Sequence, residues 1–299
     1  MIQHHHADLG QIRMHYVTAG EGEPVLFLHG FPEYWGVWRS VIEDLSRDHR
    51  TIAPDLRGYN LTSRPEEVDA YGIEHLVGDV KGLLDHLGVR KVRLVAQDWG
   101  GLVAWCFLLR HPEYVERFAT INITHPHLFN EALRSDPEQQ QASQYMLQFR
   151  APGTEVAMAH DDFASLRAVV FEDARAHGAK LPDDQVEEWL AAWRQPGAIA
   201  AGLNYYRAAE IGPPPPGKVV ERPSNVLERL GIGPDRYGVE VPVLVLWGEG
   251  DRYLLQNGLD RLHRYVRDLH IRKIPGVTHW VTLQRPEVVA RSLRGFFRG

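Results

Sequence analysis

Cysteine is almost absent from this sequence, since the chain of 299 residues contains only Cys106. A single thiol cannot form an internal disulfide, and Cys106 lies in the apolar stretch LVAWCFLL, which indicates a buried packing residue. No apolar run approaches the ~20 residues needed to span a bilayer. The N-terminal stretch also has no apolar signal core. We therefore expect a cytoplasmic protein with no structural disulfide and no membrane span.

Positive charge is not in excess either. The formal net charge is −6, so a broad basic surface for nucleic acid is not expected. The hydrophobic share of 44% and the charged share of 24% are ordinary for a globular protein. The three histidines His4, His5 and His6 have no further ligand spaced to close a metal site, so we expect them to form an exposed N-terminal segment.

The first and last thirds of the chain alternate between strand and helix patterns. Apolar runs predict strands at Val25–Leu28, Thr51–Ala53, Val92–Ala96, Phe118–Ile123, Val241–Leu246 and His270–Ile274. An amphipathic helix is predicted from Ile73 to Leu87, with Gly88 as its C-terminal cap, and two others at Leu259–Arg267 and Pro286–Phe297. Strands that alternate with helices indicate a mostly parallel sheet covered by helices on both faces.

The middle third contains few strand-like runs. Helices are predicted there at Gln139–Arg150, Asp161–His177, Asp183–Arg194 and Gly197–Ala209. We interpret residues 126–237 as a helical cap inserted into a core formed by residues 1–125 and 238–299. The alternative is that these helices belong to one continuous domain.

The strongest chemical signal is LVAQDWGG, Leu94–Gly101. An apolar strand leads directly into a tight turn and a helix, and small residues (Ala96, Gly100 and Gly101) flank the turn. This is the pattern of a nucleophile elbow, with Asp98 where serine hydrolases have serine. Amides at a helix N-terminus stabilise a carboxylate, so Asp98 should be ionised and able to form an ester by attacking carbon. The alternative role, a simple N-cap, does not explain the flanking small residues.

A second signal is LFLHGFPE, Leu26–Glu33, where an apolar strand ends at a His-Gly pair. In such a fold this loop lies beside the elbow. The backbone N–H groups of Phe31 and Trp99 are therefore candidates for an oxyanion hole. Taken alone, the segment also fits an ordinary turn rich in glycine and proline.

Two further segments each present one polar residue after an apolar strand. VLVLWGEGDRYL carries Asp251, and IPGVTHWV carries His279. The chain order Asp98, Asp251, His279 is the order of nucleophile, acid and histidine in α/β hydrolases. His279 would activate water, and Asp251 would orient the imidazole and stabilise its charge. The alternative for His279 alone is an exposed loop residue.

The motifs HGFPE, DLRGY, QDWGG, WGEGD and THW occur in the order typical of the epoxide hydrolase branch of the α/β-hydrolase superfamily, which the chain resembles over nearly its whole length. The resemblance implies an α/β-hydrolase fold with a cap that supplies two tyrosines to hold and protonate the epoxide oxygen. SQYMLQF and LNYYRA match these positions and point to Tyr145 and Tyr206. Tyr205 is adjacent to Tyr206, but the family pattern of aromatic-Tyr-Arg favours Tyr206.

The resemblance also implies a reaction and its partners. An apolar epoxide and water would give a vicinal diol through an ester on Asp98, with no metal and no organic cofactor. Phe31, Trp99 and Trp280 are expected to line the substrate pocket. The protein would be a monomer or a homodimer, without a nucleic-acid partner.

One departure keeps other functions open. Epoxide hydrolases usually have histidine before the nucleophile, whereas this chain has Gln97. QDWGG also resembles haloalkane dehalogenases, in which Trp99 would donate to the leaving halide. Their second halide donor often follows the His-Gly pair as asparagine, but Phe31 stands there and its side chain cannot donate. Fluoroacetate dehalogenases place arginine at the position of Trp99. A third hypothesis is a non-catalytic hydrolase-fold binding protein.

Overall fold

The computed structural model describes residues 1–215 and 225–298. Its centre is a sheet with strands in the order β1-β2-β4-β3-β5-β6-β7-β8. The strands are β1 (Gln3–Asp8), β2 (Arg13–Ala19), β3 (Pro24–Leu28), β4 (Arg50–Pro54), β5 (Val92–Gln97), β6 (Val115–Ile121), β7 (Val243–Gly248) and β8 (Leu269–Ile274). β1 and β2 are antiparallel to their neighbours, and every pair from β4 to β8 is parallel.

The central strands β3, β5 and β7 are almost completely buried. Parallel strands covered by helices on both faces have continuous apolar runs, which explains why these segments could be predicted. The six predicted strands correspond to β3 to β8 with small shifts at their ends. The architecture confirms the expected α/β-hydrolase fold.

The N-terminal hairpin was not predicted. His4, His5 and His6 lie in β1, opposite Val17, Tyr16 and His15 of β2. The histidines are largely exposed, as expected, but they do not form a free segment. The buried His15 donates from Nδ1 to Asp55 at 2.6 Å, and its Nε2 lies 2.9 Å from Nδ1 of His4. A strand at the sheet edge is half exposed, so its polar sequence carries little of the apolar signal that marks a central strand.

The α-helices of the described residues are α1 (Arg39–Leu45), α2 (Ile73–His86), α3 (Asp98–Arg110), α4 (Pro126–Ser135), α5 (Pro137–Ala142), α6 (Tyr145–Arg150), α7 (Thr154–Arg167), α8 (Asp173–Ala176), α9 (Asp183–Trp193), α10 (Ala198–Ala209), α11 (Val226–Arg229), α12 (Val281–Gln284) and α13 (Pro286–Arg298). Gly88 follows α2 with φ of +65°, as its predicted capping role requires. The segment predicted as a helix at Leu259–Arg267 is instead a 3₁₀ helix at Gln256–Arg264. Within residues 1–215 and 225–298, no helix has the length and apolarity to cross a membrane.

Helices α4 to α11 all lie between β6 and β7 in the chain, and the described part of this segment contains no strand. The predicted helix Gln139–Arg150 is divided into α5 and α6. α7 is interrupted at residues 160–163, where the backbone is not helical and is left-handed at residues 161–163. The predicted helix Asp161–His177 therefore begins only after this break, and it includes a π-helical turn at Ala168–Glu172. Left-handed backbone is rare in non-glycine residues, so helical periodicity cannot predict it.

The helical segment contacts the core through several polar groups. The hydroxyl of Tyr205 donates to the carbonyl of Arg57 at 2.8 Å, and the indole of Trp193 donates to the carbonyl of Pro32 at 2.6 Å. The indole of Trp280 donates to the carbonyl of Val169 at 2.8 Å. The division into a cap at residues 126–237 and a core stays a prediction.

Candidate active site

Asp98 occupies the turn between β5 and α3. Its φ is +48°, in a left-handed region that costs a non-glycine residue about 1–3 kcal/mol. A Cβ at Gly100 would collide with the carbonyl oxygen of His29, and one at Gly101 with the side chain of Ile123. The turn therefore needs small residues next to Asp98, and it presents a carboxylate that is 11% exposed.

Two backbone amides bind the Asp98 carboxylate. The N–H of Phe31 donates to Oδ1 at 2.7 Å, and the N–H of Trp99 also donates to this carboxylate. Both amides are those predicted from the sequence. The Phe31 amide holds Oδ1 in a position where negative charge on that oxygen is stabilised. Oδ2 is the oxygen that faces His279, at 3.7 Å from Nε2.

His279 is held between two carboxylates. Its Nδ1 donates to Oδ2 of Asp251 at 2.7 Å, and its Nε2 faces Asp98. Burial alone would lower the pKa of His279, but Asp251, together with Asp98, raises it to about 9. At neutral pH the resting imidazole is therefore largely protonated.

Burial also acts on Asp98. It raises the pKa of the Asp98 carboxyl, whereas His279 and the amides of Phe31 and Trp99 act in the opposite direction. The helix N-terminus, which is visible in the sequence, stabilises the carboxylate. Desolvation, which arises only in the folded structure, opposes this effect.

Asp98 and His279 both line a cavity of about 180 Å³. Its lining is mostly apolar or aromatic and consists of Phe31, Pro32, Asp98, Tyr145, Phe149, Leu166, Val169, Tyr206, Tyr253, His279 and Trp280. A narrower space of about 20 Å³ adjoins Asp98, Tyr145 and Tyr206, and Trp99 lines this one. Of the three predicted lining residues, Phe31 and Trp280 border the main cavity and Trp99 borders the narrow one.

The two predicted tyrosines lie in the same cavity as Asp98. Burial, with a further contribution from Asp98, holds the pKa of Tyr145 and that of Tyr206 well above 10. Both hydroxyls therefore keep their protons at neutral pH and are available as donors. Tyr205 faces elsewhere, because its hydroxyl donates to the carbonyl of Arg57.

The chain is similar to a known protein family, to several relatives and to solved structures. The α/β hydrolase fold family matches residues 23–286. Epoxide hydrolase 2 of Caenorhabditis elegans is 34% identical over 96% of this chain and 77% of its own length. The AB hydrolase superfamily protein YfhM of Bacillus subtilis is 33% identical over 96% of this chain and 95% of its own length. A crystal structure of a Bacillus megaterium epoxide hydrolase with an inhibitor has a TM-score of 0.89 and 30% identity, covering 99% of this chain and 100% of that one.

The chain belongs to the epoxide hydrolase family of α/β hydrolases. The protein is therefore a hydrolase, and the family expected from its motifs is confirmed.

Asn122 is a site residue that the sequence analysis missed. Its side-chain amide donates to Oδ2 of Asp251 at 2.8 Å, and its Oδ1 accepts from the N–H of Gly248 at 2.7 Å. The predicted strand Phe118–Ile123 included it, but β6 ends at Ile121 and Asn122 has φ of +53°. A polar residue directly after four buried strand residues was the available signal.

Asp251 has partners on both carboxylate oxygens. Oδ2 accepts from His279 and Asn122, and Oδ1 accepts from the N–H groups of Tyr253 at 2.8 Å and Leu254 at 3.1 Å. A carboxylate with this many donors holds one orientation. Asp251 can therefore fix the His279 ring so that Nε2 points toward Asp98.

Proposed function

We propose that this protein hydrolyses apolar epoxides to vicinal diols through a covalent ester on Asp98. One observation carries the proposal: a strained, amide-bound carboxylate shares an apolar cavity with a histidine and two protonated tyrosines. Opening of an epoxide ring requires a nucleophile and a proton donor in the same cavity.

The first step would be ester formation. Oδ2 of Asp98 attacks a ring carbon, and the bond between that carbon and the epoxide oxygen breaks. Tyr145 and Tyr206 hydrogen-bond that oxygen, and one of them gives it a proton. The product is a hydroxyalkyl ester and a tyrosinate. Oδ1, bound by the amide of Phe31, becomes the ester carbonyl oxygen, and the amide of Trp99 is the second proposed donor to it.

Ester formation would also prepare the base. It removes the charge of Asp98, which is one of the groups that raise the pKa of His279. The imidazole then loses its proton more easily, and this proton restores the tyrosine through solvent. His279 is left neutral and can accept a proton from water at Nε2.

The second step would be ester hydrolysis. His279 takes a proton from water, and the water oxygen bonds to Cγ of Asp98. Negative charge develops on Oδ1, where the two amides stabilise it. The bond between Cγ and Oδ2 then breaks, and Oδ2 leaves with the diol after taking the proton from His279. The new carboxylic acid of Asp98 returns a proton to His279, which restores the resting pair.

The chemistry of the cavity wall supports an apolar substrate. Apart from Asp98, His279 and the tyrosine hydroxyls, its lining is aliphatic or aromatic. An aryl or alkyl substituent would be desolvated there at a gain of roughly 25 cal/mol for each Å² buried.

A panel of styrene oxide, phenyl glycidyl ether and a bromoalkane tests this proposal. We expect diol from the epoxides and no bromide from the bromoalkane, because the side chain of Phe31 cannot donate to a halide. Bromide release without diol would instead identify the protein as a dehalogenase. Binding of these compounds without any product would identify it as a non-catalytic binding protein.

The double substitution Tyr145→Phe with Tyr206→Phe is expected to slow ester formation by at least about 10²-fold, since both donors to the leaving oxygen are lost. Burst kinetics with styrene oxide measure this rate. Tyr205→Phe is the matched control: it removes one hydrogen bond to the Arg57 carbonyl, which should lower stability by about 1 kcal/mol but leave ester formation unchanged. If the rate of ester formation fell equally in the double variant and in Tyr205→Phe, the proposed role of Tyr206 would be contradicted.

A further inference from the structure

Three buried polar side chains form a hydrogen-bonded chain beside the candidate site. The hydroxyl of Thr282 donates to Oε1 of Gln97 at 2.9 Å, and Nε2 of Gln97 donates to Oε1 of Glu33. Each of the three residues is 2% exposed. They come from three separate segments: the loop after β3, the residue before Asp98, and α12, which follows His279.

The carboxylate of Glu33 determines the direction of this chain, because an ionised carboxylate only accepts hydrogen bonds and therefore requires Nε2 of Gln97. Oε1 of the amide then faces Thr282, whose hydroxyl can donate to it. The opposite orientation would place an amide oxygen against Glu33 and repel it. Gln97, which departs from the histidine usual in this family, thus serves as a neutral donor to a buried carboxylate.

Glu33 in turn closes the loop that carries the amide of Phe31. Its Oε2 accepts from the N–H of Gly30 at 2.7 Å, and its own N–H donates to the carbonyl of Gly30 at 3.0 Å. Phe31 lies inside this closed turn, and its N–H donates to Oδ1 of Asp98. Movement of the Glu33 carboxylate would therefore displace the oxyanion donor.

We infer that Glu33, oriented by Gln97 and Thr282, is a positioning residue that holds the amide of Phe31 in place for ester hydrolysis rather than for ester formation. The inference rests on the proposed function. In ester formation Oδ1 loses negative charge, so a donor to it favours the starting carboxylate. In hydrolysis Oδ1 gains negative charge, so the same donor favours the transition state. A displaced donor must slow the second step selectively.

The charge of Glu33 is part of this function. Burial, with a contribution from Asp98, raises the pKa of Glu33 to about 7, whereas the Gly30 amide, Gln97 and His279 act to lower it. Nearby Tyr59 stays protonated, because burial, with a smaller contribution from Glu33, raises its pKa well above 10. In the ester Asp98 carries no charge and His279 has lost its proton, so the influence of Asp98 that raises this pKa of Glu33 and the influence of His279 that lowers it are both removed. At a pH below the pKa of Glu33, its carboxyl group is neutral and accepts from the Gly30 amide and from Gln97 more weakly.

The test separates the two steps in Glu33→Gln and Thr282→Val by rapid mixing with styrene oxide and intact-mass analysis of the quenched protein. Loss of a complete oxyanion donor lowers the reaction rate by about 10²–10³-fold. In Glu33→Gln the donor is only displaced, so ester hydrolysis should slow by about tenfold. The rate of ester formation should stay within about threefold of the wild-type rate. Thr282→Val should slow hydrolysis less, by about threefold, and provides the test if Glu33→Gln does not fold.

The pH dependence distinguishes positioning from a structural defect. The ratio of hydrolysis rates, wild type over Glu33→Gln, should approach 1 as the pH falls through the Glu33 pKa, because the wild-type side chain then becomes neutral like glutamine. A ratio independent of pH, or equal losses in both steps, would overturn the inference. Absence of any ester in the wild type and in His279→Gln would instead overturn the proposed function.

Discussion

Replacement of Asp98 by alanine is expected to reduce diol formation by at least about 10⁴-fold, because the variant has no group that can form the ester. The remaining groups, His279 and the amides of Phe31 and Trp99, have no covalent intermediate to act on. Diol from styrene oxide, followed by chromatography under single-turnover conditions, measures the loss. Diol formation above about one per cent of the wild-type rate would contradict a covalent role for Asp98.

Asp98→Asn is the matched control for shape. Asparagine tolerates left-handed backbone better than alanine, so it keeps the strained turn at φ of +48° more easily. It is neutral and a poor nucleophile, so we expect the same loss of diol. Thermal unfolding of both variants shows whether the turn has kept its structure. Activity retained in Asp98→Asn but lost in Asp98→Ala would indicate a structural role.

Replacement of His279 by glutamine is expected to trap the ester. Ester formation needs Asp98 and the tyrosines, whereas ester hydrolysis needs a general base. Removal of a general base slows the step that it catalyses by about 10²–10⁴-fold. Mixing the variant with phenyl glycidyl ether should therefore give an intact-mass gain equal to the mass of the substrate. Peptide mapping should locate this gain on the segment that contains Asp98.

The double variant Asp98→Ala with His279→Gln provides the control, since it should show no mass gain. His279→Gln also removes the imidazole that lies 2.7 Å from Oδ2 of Asp251. Because breaking a buried ion pair lowers the free energy of unfolding by about 3–5 kcal/mol, the thermal stability of the variant must also be measured. A folded His279→Gln protein that gains no mass with either epoxide would contradict the covalent mechanism.

Much of the site could be predicted because its signals are local. The elbow LVAQDWGG needs an apolar strand, a sharp turn and small residues within eight positions, and the structure explains each of them. The predicted position of the Leu26–Glu33 segment beside the elbow follows from β3 and β5, which are neighbours in the sheet. The family and the fold were both confirmed.

Other parts of the site depend on contacts between distant segments. Asn122 reaches Asp251 across 129 positions of sequence, and Thr282 reaches Gln97 across 185. Gln97 reaches Glu33 across 64 positions, so this link could not be predicted either. The choice between Tyr205 and Tyr206 was suggested by the family pattern, and only the packing of α10 shows which of them borders the cavity.

The sequence by itself determined the positions of β3 to β8, the elbow aspartate and the family, because hydrophobic periodicity and turn chemistry depend on about ten consecutive residues. Only the tertiary structure decided the pairing of β1 with β2, the raised pKa values of Glu33 and His279, and the partners of Asp251. These properties arise from burial and from charges on separate segments, and neither exists until the chain has folded.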